Sequence, residues 1–324
     1  MTHLLTTLTL NPALDLAAQA DSVVPTHKVR MHNEHADPGG GGVNVARVLH
    51  ELGANALAIV AAGGATGRVL EEMLDDAGVQ RQSVPVKGQT RVSLNVLDCS
   101  AGLEYRFVPE GPTLSEGEFH AFLAAVEAAE GKWLIASGSL PHGVPDDAYA
   151  RMAHIAARKG QLFVLDTSGV GLRAALEQGG LELVKPSLGE LEHLVGRALP
   201  DPDEQDSEAM KLVRSGASRL VAVTLGCDGA VLATPDGVVR LPAMDVAMHS
   251  SVGAGDAFLA AATLALSRGA TAADALAWGT AAGATAIACA GTARLRRDDV
   301  EARYRQLTRQ AAGLSCLPDD ASLR

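Results

Sequence analysis

The sequence predicts an α/β fold in which a mainly parallel central sheet is flanked by helices, with a smaller β-sheet lid beside it. Helices alternate with short buried strands between residues 116 and 195, and this alternation implies parallel strands joined by right-handed crossovers. Two polar segments, near residues 14–34 and 90–108, lie outside that pattern and can pair into the small sheet. The 324 residues are enough for one large domain of this kind.

The N-terminal third of the chain predicts two strands of the main sheet, two helices and the first part of the lid. Residues 4–10 alternate Leu and Thr and stop at Asn11-Pro12, which is typical of a strand end. Residues 14–34 are polar, contain Pro25 and have no helical period, so short strands or loops are expected there. A glycine run at 39–42 leads into a helix, followed by a strand at 54–61, a turn at Gly63-Gly64 and a helix at 67–77.

The remaining elements follow the same alternation. The spacing of Val92, Leu94 and Val96 predicts a hairpin over residues 90–108. Helices are then predicted at 116–130, 146–159, 172–178 and 188–195, and strands at 133–137, 162–166, 181–185, 220–225, 230–233 and 238–241. After Asp256 only helices are expected, ending near Gln310, and residues 311–324 are expected to be a frayed tail.

Composition and charge exclude several classes of function. The chain has 27 Lys and Arg against 38 Asp and Glu, a net charge of −11, whereas nucleic-acid and anionic-membrane surfaces need concentrated positive charge. No apolar run is long enough for a membrane span and no secretory signal is recognisable, so a cytoplasmic location is expected. The four cysteines have no metal-site spacing, which favours isolated thiols.

The stretch from Ser250 to Phe258 has the order of parts that an anion-binding turn requires. Gly253 and Gly255 permit tight backbone conformations, and a helix begins directly after them. The first turn of a helix has N–H groups without intrahelical partners and the positive end of the helix dipole, so an anion is stabilised there. Asp256 is expected at the first helical position, either as a dipole-compensating residue or as a catalytic base.

Polar residues also occur where six predicted strands end. In an open parallel sheet, ligands bind at the carboxyl ends of the strands. These ends carry Asn11 and Asp15, Gly63-Gly64, Ser137-Gly138-Ser139, Asp166-Thr167-Ser168, Lys185-Pro186-Ser187 and Thr224-Leu225-Gly226. Together with two glycine-to-helix turns, they favour an enzyme that handles phosphate groups.

Two motifs resemble the signatures of the ribokinase-like PfkB family of carbohydrate kinases. The first is Pro38-Gly-Gly-Gly-Gly-Val-Asn44-Val-Ala-Arg47 and the second is Ser251-Val-Gly-Ala-Gly-Asp256, and the likeness extends from Leu4 to about Gln310. It implies a ribokinase-like three-layer sandwich over residues 1–312, a discontinuous β lid from about 14–36 and 88–110, and a C-terminal tail at 313–324. Thr90-Arg91, the segment 105–108 and the segment 137–141 are similar to the branch that acts on hexose phosphates.

This resemblance implies phosphoryl transfer from MgATP to the primary hydroxyl of a ketohexose phosphate. Asp256 is then the base, and the N–H groups of Gly253, Ala254 and Gly255 stabilise charge on the transferred group. The expected reaction converts fructose 6-phosphate to fructose 1,6-bisphosphate. Fructose 1-phosphate and tagatose 6-phosphate remain alternative substrates, and a catalytically weakened sugar-phosphate sensor remains the alternative from a different class.

On the sugar side, Asp15 and Asn44 are the hydroxyl partners that the resemblance implies, and Gly40 and Gly41 allow close approach. A substrate that carries a phosphate needs cations, for which arginine offers a planar fork. The candidates, with Ser139 from the 137–141 motif, are Lys28, Arg30, Arg91 and Arg106. In the family the lid pairs with the lid of a second subunit, so a homodimer is expected in which Lys28 and Arg30 reach across.

On the nucleotide side, the resemblance places ATP against Lys185, Ser187, Thr224, Gly226, Gly229 and Gly283. Glu190 is expected to orient Mg²⁺-bound water, but Ser187 stands where the family usually has Asn, which puts the strength of MgATP binding in question. The small residues around Gly283 fit an adenine ring and tight helix packing equally well. A monovalent cation such as K⁺ is implied at the backbone carbonyls of Ser250, Val252, Cys289 and Gly291.

Overall fold

The computed structural model of the chain describes residues 4–247, 253–288 and 295–314, with two sheets and helices around them. The strands are β1 (Leu5–Thr9), β2 (Ala13–Ala20), β3 (Met31–Gly39), β4 (Ala56–Gly63), β5 (Gln80–Val86), β6 (Arg91–Asp98), β7 (Leu103–Phe107), β8 (Trp133–Ser137), β9 (Leu162–Asp166), β10 (Leu181–Val184), β11 (Ser218–Thr224), β12 (Ala230–Thr234) and β13 (Gly237–Leu241). The helices are α1 (Gly41–Glu51), α2 (Gly64–Asp76), α3 (Glu116–Ala128), α4 (Ala148–Arg158), α5 (Gly169–Gln178), α6 (Leu188–Val195), α7 (Pro202–Arg214), α8 (Ala254–Ser267), α9 (Ala272–Ile287) and α10 (Arg297–Leu314).

The larger sheet has nine strands in the order β13-β12-β11-β10-β9-β8-β1-β4-β5. All of its neighbouring pairs from β11 to β5 are parallel, whereas the β11–β12 and β12–β13 pairs at one edge are antiparallel. Apolar residues of α1, α8, α9 and α10 form one core with this sheet, and those of α3 to α7 form another. Both faces of the central strands are therefore covered, as the predicted ribokinase-like α/β fold requires.

The smaller sheet, which we call the lid, has four strands in the order β3-β2-β6-β7. The two polar segments of the sequence supply its strands, since β2 pairs with β3 on one side and with β6 on the other. The predicted hairpin forms between β6 and β7. Leu14 and Val92 pack on apolar residues of α1 and α2, which holds the base of the lid against the main body.

Two elements lie where the sequence pattern gave no clear signal. Strand β5 is an edge strand with mostly exposed or half-buried residues and Pro85, which suits an edge because proline cannot complete a ladder. Helix α7 is strongly polar, and its start is set by Pro202 and by the side chain of Asp201, which accepts from the N–H of Asp203. Its polar outer face carries little of the apolar period that helix prediction relies on.

The helices of residues 4–247, 253–288 and 295–314 include none with the length and apolar character needed to cross a membrane.

Candidate active site

Asp256 lies buried at the start of α8 and is held from two sides. Asn44 of α1 donates a side-chain hydrogen bond to Asp256 Oδ2 at 3.0 Å, and the hydroxyl of Ser137, at the end of β8, donates to Oδ1 at 3.2 Å. Gly253 is the N-cap, with a left-handed φ of 76°, so the helix begins at Ala254. The expectation that Asp256 occupies the first helical position was wrong: it is the third residue, because the turn at Gly253 starts the helix earlier.

The glycine run of the first motif allows this meeting of three elements. Gly41 begins α1 directly beneath the end of β8. A Cβ on Gly41 would lie 2.2 Å from the Ser137 hydroxyl and 2.8 Å from the N–H of Gly138, distances that no side chain tolerates. The missing side chain lets α1 and β8 approach each other, and Asn44, one turn into α1, then reaches Asp256.

Burial raises the pKa of Asp256 to about 7, and the carboxylate of Asp166 adds to the increase. The hydrogen bond from Asn44, the charge of Lys185 and the hydrogen bond from Ser137 oppose it. A carboxyl whose pKa lies near 7 is still partly ionised at neutral pH, and its ionised form is a stronger base than an ordinary carboxylate. The geometry therefore favours a general base at this position.

A cavity of about 200 Å³ opens in front of Asp256, between α8, α1 and the inner face of the lid. Seven predicted residues line it, namely Asp15, Gly40, Asn44, Arg91, Arg106, Gly253 and Asp256. Burial raises the pKa of Asp15, while a hydrogen bond from Ser93 and the charge of Arg91 oppose the increase. The cavity thus has a carboxylate and two arginines along the lid and a second carboxylate at its floor.

Arg91 is fixed by backbone carbonyls of two segments that connect the lid to the main body. It donates to the carbonyl of Pro109 at 2.9 Å and to that of Asn11 at 3.0 Å. Its Nε is buried and has no partner in the described part of the chain. Burial lowers the pKa of Arg91, and the Asp15 carboxylate opposes this.

Other sugar-side candidates lie outside this cavity. Lys28 and Arg30 are exposed in the connection between β2 and β3. Ser139 is exposed, and its hydroxyl accepts a hydrogen bond from Asn11 Nδ2 at 3.2 Å. Gly41 is not among the residues that line this cavity, and its missing Cβ allows the close approach of β8 to α1.

On the opposite side of Asp256, Lys185 forms a buried ion pair with Asp166. The two side chains are 3.1 Å apart and only 5% and 15% exposed. Burial disfavours the ammonium, but Asp166, Asp256 and Glu190 more than offset this and raise the pKa of Lys185. Lys185 Nζ lies 3.3 Å from the place where a Cβ on Gly255 would stand, so its charge is beside the turn that is predicted to bind an anion.

Ser187 and Glu190 form a capping box at the start of α6. The Ser187 hydroxyl accepts from the N–H of Glu190, and the Glu190 carboxylate accepts from the N–H of Ser187 at 2.8 Å. The N–H of Thr224 donates to the carbonyl of Pro186, which brings the ends of β10 and β11 together. Serine is among the best N-cap residues, so Ser187 fixes Glu190 beside the Lys185–Asp166 pair.

The remaining nucleotide-side candidates lie in two places. Gly226 begins the short turn after β11 and is exposed, whereas Gly229 closes that turn and is buried. Gly283 lies in α9, and its missing Cβ lets α9 approach the Ala254 carbonyl at the start of α8. This contact is one of helix packing. The predicted cation-site residues Ser250, Val252, Cys289 and Gly291 lie outside the described residues.

Three side chains of the site were not among the predicted site residues. Ser137 and Asp166 end the parallel strands β8 and β9, and Ser93 lies opposite Asp15 in the lid. Ser137 and Asp166 belong to the strand-end motifs that the sequence showed. The order of the strands in the sheet, with β8 beside β1 and β9 beside β10, is what identifies these two as site residues. For Ser93 the signal is only its β-strand spacing from Arg91.

The family model described as "pfkB family carbohydrate kinase" matches residues 8–298 of this chain. The ATP-dependent 6-phosphofructokinase isozyme 2 of Mycobacterium tuberculosis is 43% identical over 297 residues, which cover 91% of this chain and 87% of that protein. The 1-phosphofructokinase of Bacillus subtilis is 32% identical over 257 residues, 78% of this chain and 82% of that protein.

Phosphofructokinase-2 from Escherichia coli is similar in structure, and its crystal structures cover 95% of this chain and 100% of their own at 38% identity. The complex with fructose-6-phosphate matches with a TM-score of 0.89. The complex with potassium matches at 0.91, and a structure described as the tetrameric inhibited form matches at 0.89.

Proposed function

Because the chain belongs to the PfkB family of carbohydrate kinases, we propose that it phosphorylates fructose 6-phosphate with ATP to give fructose 1,6-bisphosphate and ADP. The observation that carries this proposal is the place of Asp256. It lies between a cavity with Asp15, Arg91 and Arg106 and a cluster with Lys185 and the glycine turn. The names of the M. tuberculosis and E. coli relatives support fructose 6-phosphate as the acceptor.

In the proposed reaction, Asp256 accepts the proton of the C1 hydroxyl. The hydroxyl oxygen forms a bond to the γ-phosphorus of ATP while the bond from that phosphorus to the β–γ bridging oxygen breaks. Asn44 and Ser137 keep the Asp256 carboxylate in place. The N–H groups of Gly253, Ala254 and Gly255 and the ammonium of Lys185 stabilise the negative charge, and such fixed donors supply most of the acceleration in phosphoryl transfer.

The nucleotide-side cluster fits a nucleotide phosphate with its Mg²⁺. Asp166 and Glu190 offer carboxylate oxygens, the ligand type that Mg²⁺ and its bound water prefer, and Lys185 offers a buried cation for phosphate oxygens. MgATP supplies the phosphoryl group. The capping box keeps the Glu190 carboxylate ordered, so Ser187 is compatible with the kinase and gives the alternative of a weakened sensor no support.

For the acceptor side, we propose that Asp15 and Asn44 bind sugar hydroxyls and that Arg91 and Arg106 face the phosphate. Asn44 Oδ1 is buried and has no partner among the described residues, so it can accept a hydrogen bond from a sugar hydroxyl. The domain limits stay predictions, with the kinase domain at 1–312, the lid at about 14–36 and 88–110 and the tail at 313–324. The cation site also stays a prediction, which the potassium complex of the E. coli protein supports.

We further propose that the chain forms a homodimer through the outer face of the lid, defined here by the row Leu16, Leu94 and Phe107. These residues are directly opposite one another on β2, β6 and β7. Leu16 is 37% and Phe107 is 56% exposed, and a continuous exposed apolar face marks an interaction surface. A dimer through this face would bring Lys28 and Arg30 of one copy towards the other.

The function is tested by coupling ADP release to NADH oxidation with fructose 6-phosphate as acceptor. Asp256→Asn should lower kcat by at least about 10³-fold, because it removes the base and leaves positioning intact. Asp236→Asn, an exposed aspartate in the β12–β13 turn, is the matched control and should retain full activity. A kcat of Asp256→Asn equal to that of the wild type would contradict the mechanism.

The acceptor is identified by comparing kcat/KM for fructose 6-phosphate, fructose 1-phosphate, tagatose 6-phosphate and free fructose. We expect the three phosphates to exceed free fructose, because the lid arginines face the cavity, and fructose 6-phosphate to be highest, because the M. tuberculosis and E. coli relatives are named for it. The B. subtilis relative is the reason to include fructose 1-phosphate. A higher value for free fructose than for any phosphate would show that Arg91 and Arg106 do not bind the substrate.

A further inference from the structure

Arg47 of α1 connects the main body of the protein to the lid. Its Nη2 donates to Asp37 Oδ1 at 2.8 Å, and its Nη1 donates to the carbonyl of Pro38 at 3.1 Å. Both charged side chains are largely buried, at 14% exposed for Arg47 and 11% for Asp37. One guanidinium therefore holds two consecutive residues of β3, just before the glycine run.

Asp37 is the neighbour of a residue that lines the proposed sugar cavity. It is the cross-strand partner of Asp15, so the two carboxylates occupy neighbouring positions of the lid sheet. Besides burial, the charge of Asp37 contributes to the raised pKa of Asp15. His35 on the same strand also contacts Asp37, at 2.8 Å, but its side chain is 60% exposed. Arg47 is the buried countercharge that balances Asp37 next to Asp15.

The same helix also positions the base. Asn44, which donates to Asp256, lies three residues before Arg47 on α1, and residues three apart are neighbours on a helix surface. One turn of α1 thus contacts Asp256 with one side chain and the lid strand with another. Because Asp15 on β2 pairs with Asp37 on β3, a displacement of β3 relative to α1 is transmitted through this pairing to Asp15.

We propose that Arg47 is a positioning residue, which ties β3 to α1 and so holds Asp15 in place over the sugar cavity opposite Asp256. The proposal rests on the proposed function, because its consequence is an effect on acceptor binding. Without the guanidinium, Asp37 is a buried carboxylate that has lost this countercharge beside a second carboxylate, and repulsion between them displaces the strand.

The kinetic test compares Arg47→Met, Arg47→Lys and the double variant Arg47→Met/Asp37→Asn with wild type. In Arg47→Met, KM for fructose 6-phosphate should rise about tenfold, because the misplaced Asp15 weakens acceptor binding. KM for MgATP should stay within about twofold, because the nucleotide cluster is not touched. The Lys variant keeps the charge and should fall between, and the double variant should recover part of the loss because both buried charges are gone.

Arg81→Met is the matched control. Arg81 makes a comparable set of bonds, to Asp75, to Ser83 and to the carbonyl of Glu71, but it joins α2 to the edge strand β5 away from the cavity. Its loss should lower Tm and leave both KM values unchanged. Unchanged acceptor KM in Arg47→Met, an equal rise in both KM values, or the same kinetic change in Arg81→Met would each overturn the proposal.

A second measurement separates this proposal from the proposed function. Hydrogen–deuterium exchange of residues 31–39 should be faster in Arg47→Met than in Arg81→Met, since only the first variant frees β3. This readout needs no turnover, so it applies even if no acceptor is phosphorylated by the wild type. Equal exchange in the two variants would contradict the proposal that Arg47 holds β3 against α1. If Arg47→Met does not fold, Arg47→Lys replaces it in the same comparison.

Discussion

The ionisation of Asp256 depends on its burial and on the neighbouring side chains of the site. Burial and the neighbouring Asp166 carboxylate disfavour its ionised form, while Asn44, Lys185 and Ser137 favour it. The result is a pKa of about 7 in place of 3.8. Between about pH 4 and 7, Asp256 therefore keeps a proton in the folded protein that it has released in the unfolded chain. The free energy of folding that this proton contributes is lost as pH rises through that range.

The pH dependence of catalysis follows from the same pKa. Because only the ionised carboxyl accepts a proton, kcat/KM should fall about tenfold per pH unit below about 7. Ser137→Ala removes a hydrogen bond that stabilises the ionised form, so it should move this acid limb to higher pH. The measurement is a kcat/KM profile from pH 5.5 to 9 at saturating MgATP. A profile that stays flat from pH 8 down to 6 would exclude Asp256 as the base.

At the scale of single elements, two helices begin with the same capping box but in different surroundings. Ser187 and Glu190 cap α6 beside the nucleotide cluster, and Ser115 and Glu118 cap α3 on an exposed surface. The two bonds of the capping box are present in both helices, and Glu118 also accepts from the Ser115 hydroxyl and from the N–H of Lys87. A difference between variants at the two caps therefore measures what the α6 cap contributes to binding, apart from helix stability.

Ser187→Ala should raise KM for MgATP about threefold to tenfold, because a lost N-cap costs about 1 kcal/mol and releases the Glu190 carboxylate. Ser187→Asn keeps a good N-cap and should restore the wild-type value. Ser115→Ala should destabilise the protein to a similar degree without changing KM for MgATP. Steady-state kinetics at varied MgATP, together with thermal melts, check all three, and equal KM values for the two alanine variants would contradict the role of the α6 cap.

At the scale of the whole molecule, the lid gives the protein both its cavity and an exposed apolar face. Its inner face carries Asp15, Arg91 and Arg106 over the cavity in front of Asp256. Its outer face presents Leu16 and Phe107, with Leu94 between them. The same four strands therefore line the cavity and form the surface of the proposed homodimer.

Phe107→Glu should shift the protein to monomers, because it replaces the most exposed apolar side chain of the row Leu16, Leu94 and Phe107 with a charge. Val170→Glu is the matched control, since Val170 is similarly exposed, at 58%, on α5 of the main body. Sedimentation velocity at several concentrations distinguishes the two. A Phe107→Glu protein with the same sedimentation coefficient as wild type and Val170→Glu would contradict the proposed interface.

Much of the fold could be predicted because local signals decide it. The strands at 133–137 and 162–166 and the helix at 188–195 were predicted at the bounds that the structure has. Their buried strand residues, capping serine and terminal glycine act within a few positions of the chain. Strand β5 and helix α7 were not predicted, because an edge strand and a polar surface helix obtain their stability from neighbours rather than from an internal apolar pattern.

The sequence by itself determined the α/β class, the carboxyl edge where ligands bind and the two glycine motifs, since spacing and residue type fix these locally. Only the tertiary structure decided the bonds that Ser137 and Asn44 make to Asp256, the pairing of Asp166 with Lys185, and the attachment of β3 to α1 through Arg47. Those contacts join residues up to 212 positions apart. No local pattern encodes them, because they depend on which strand ends the folded sheet brings side by side.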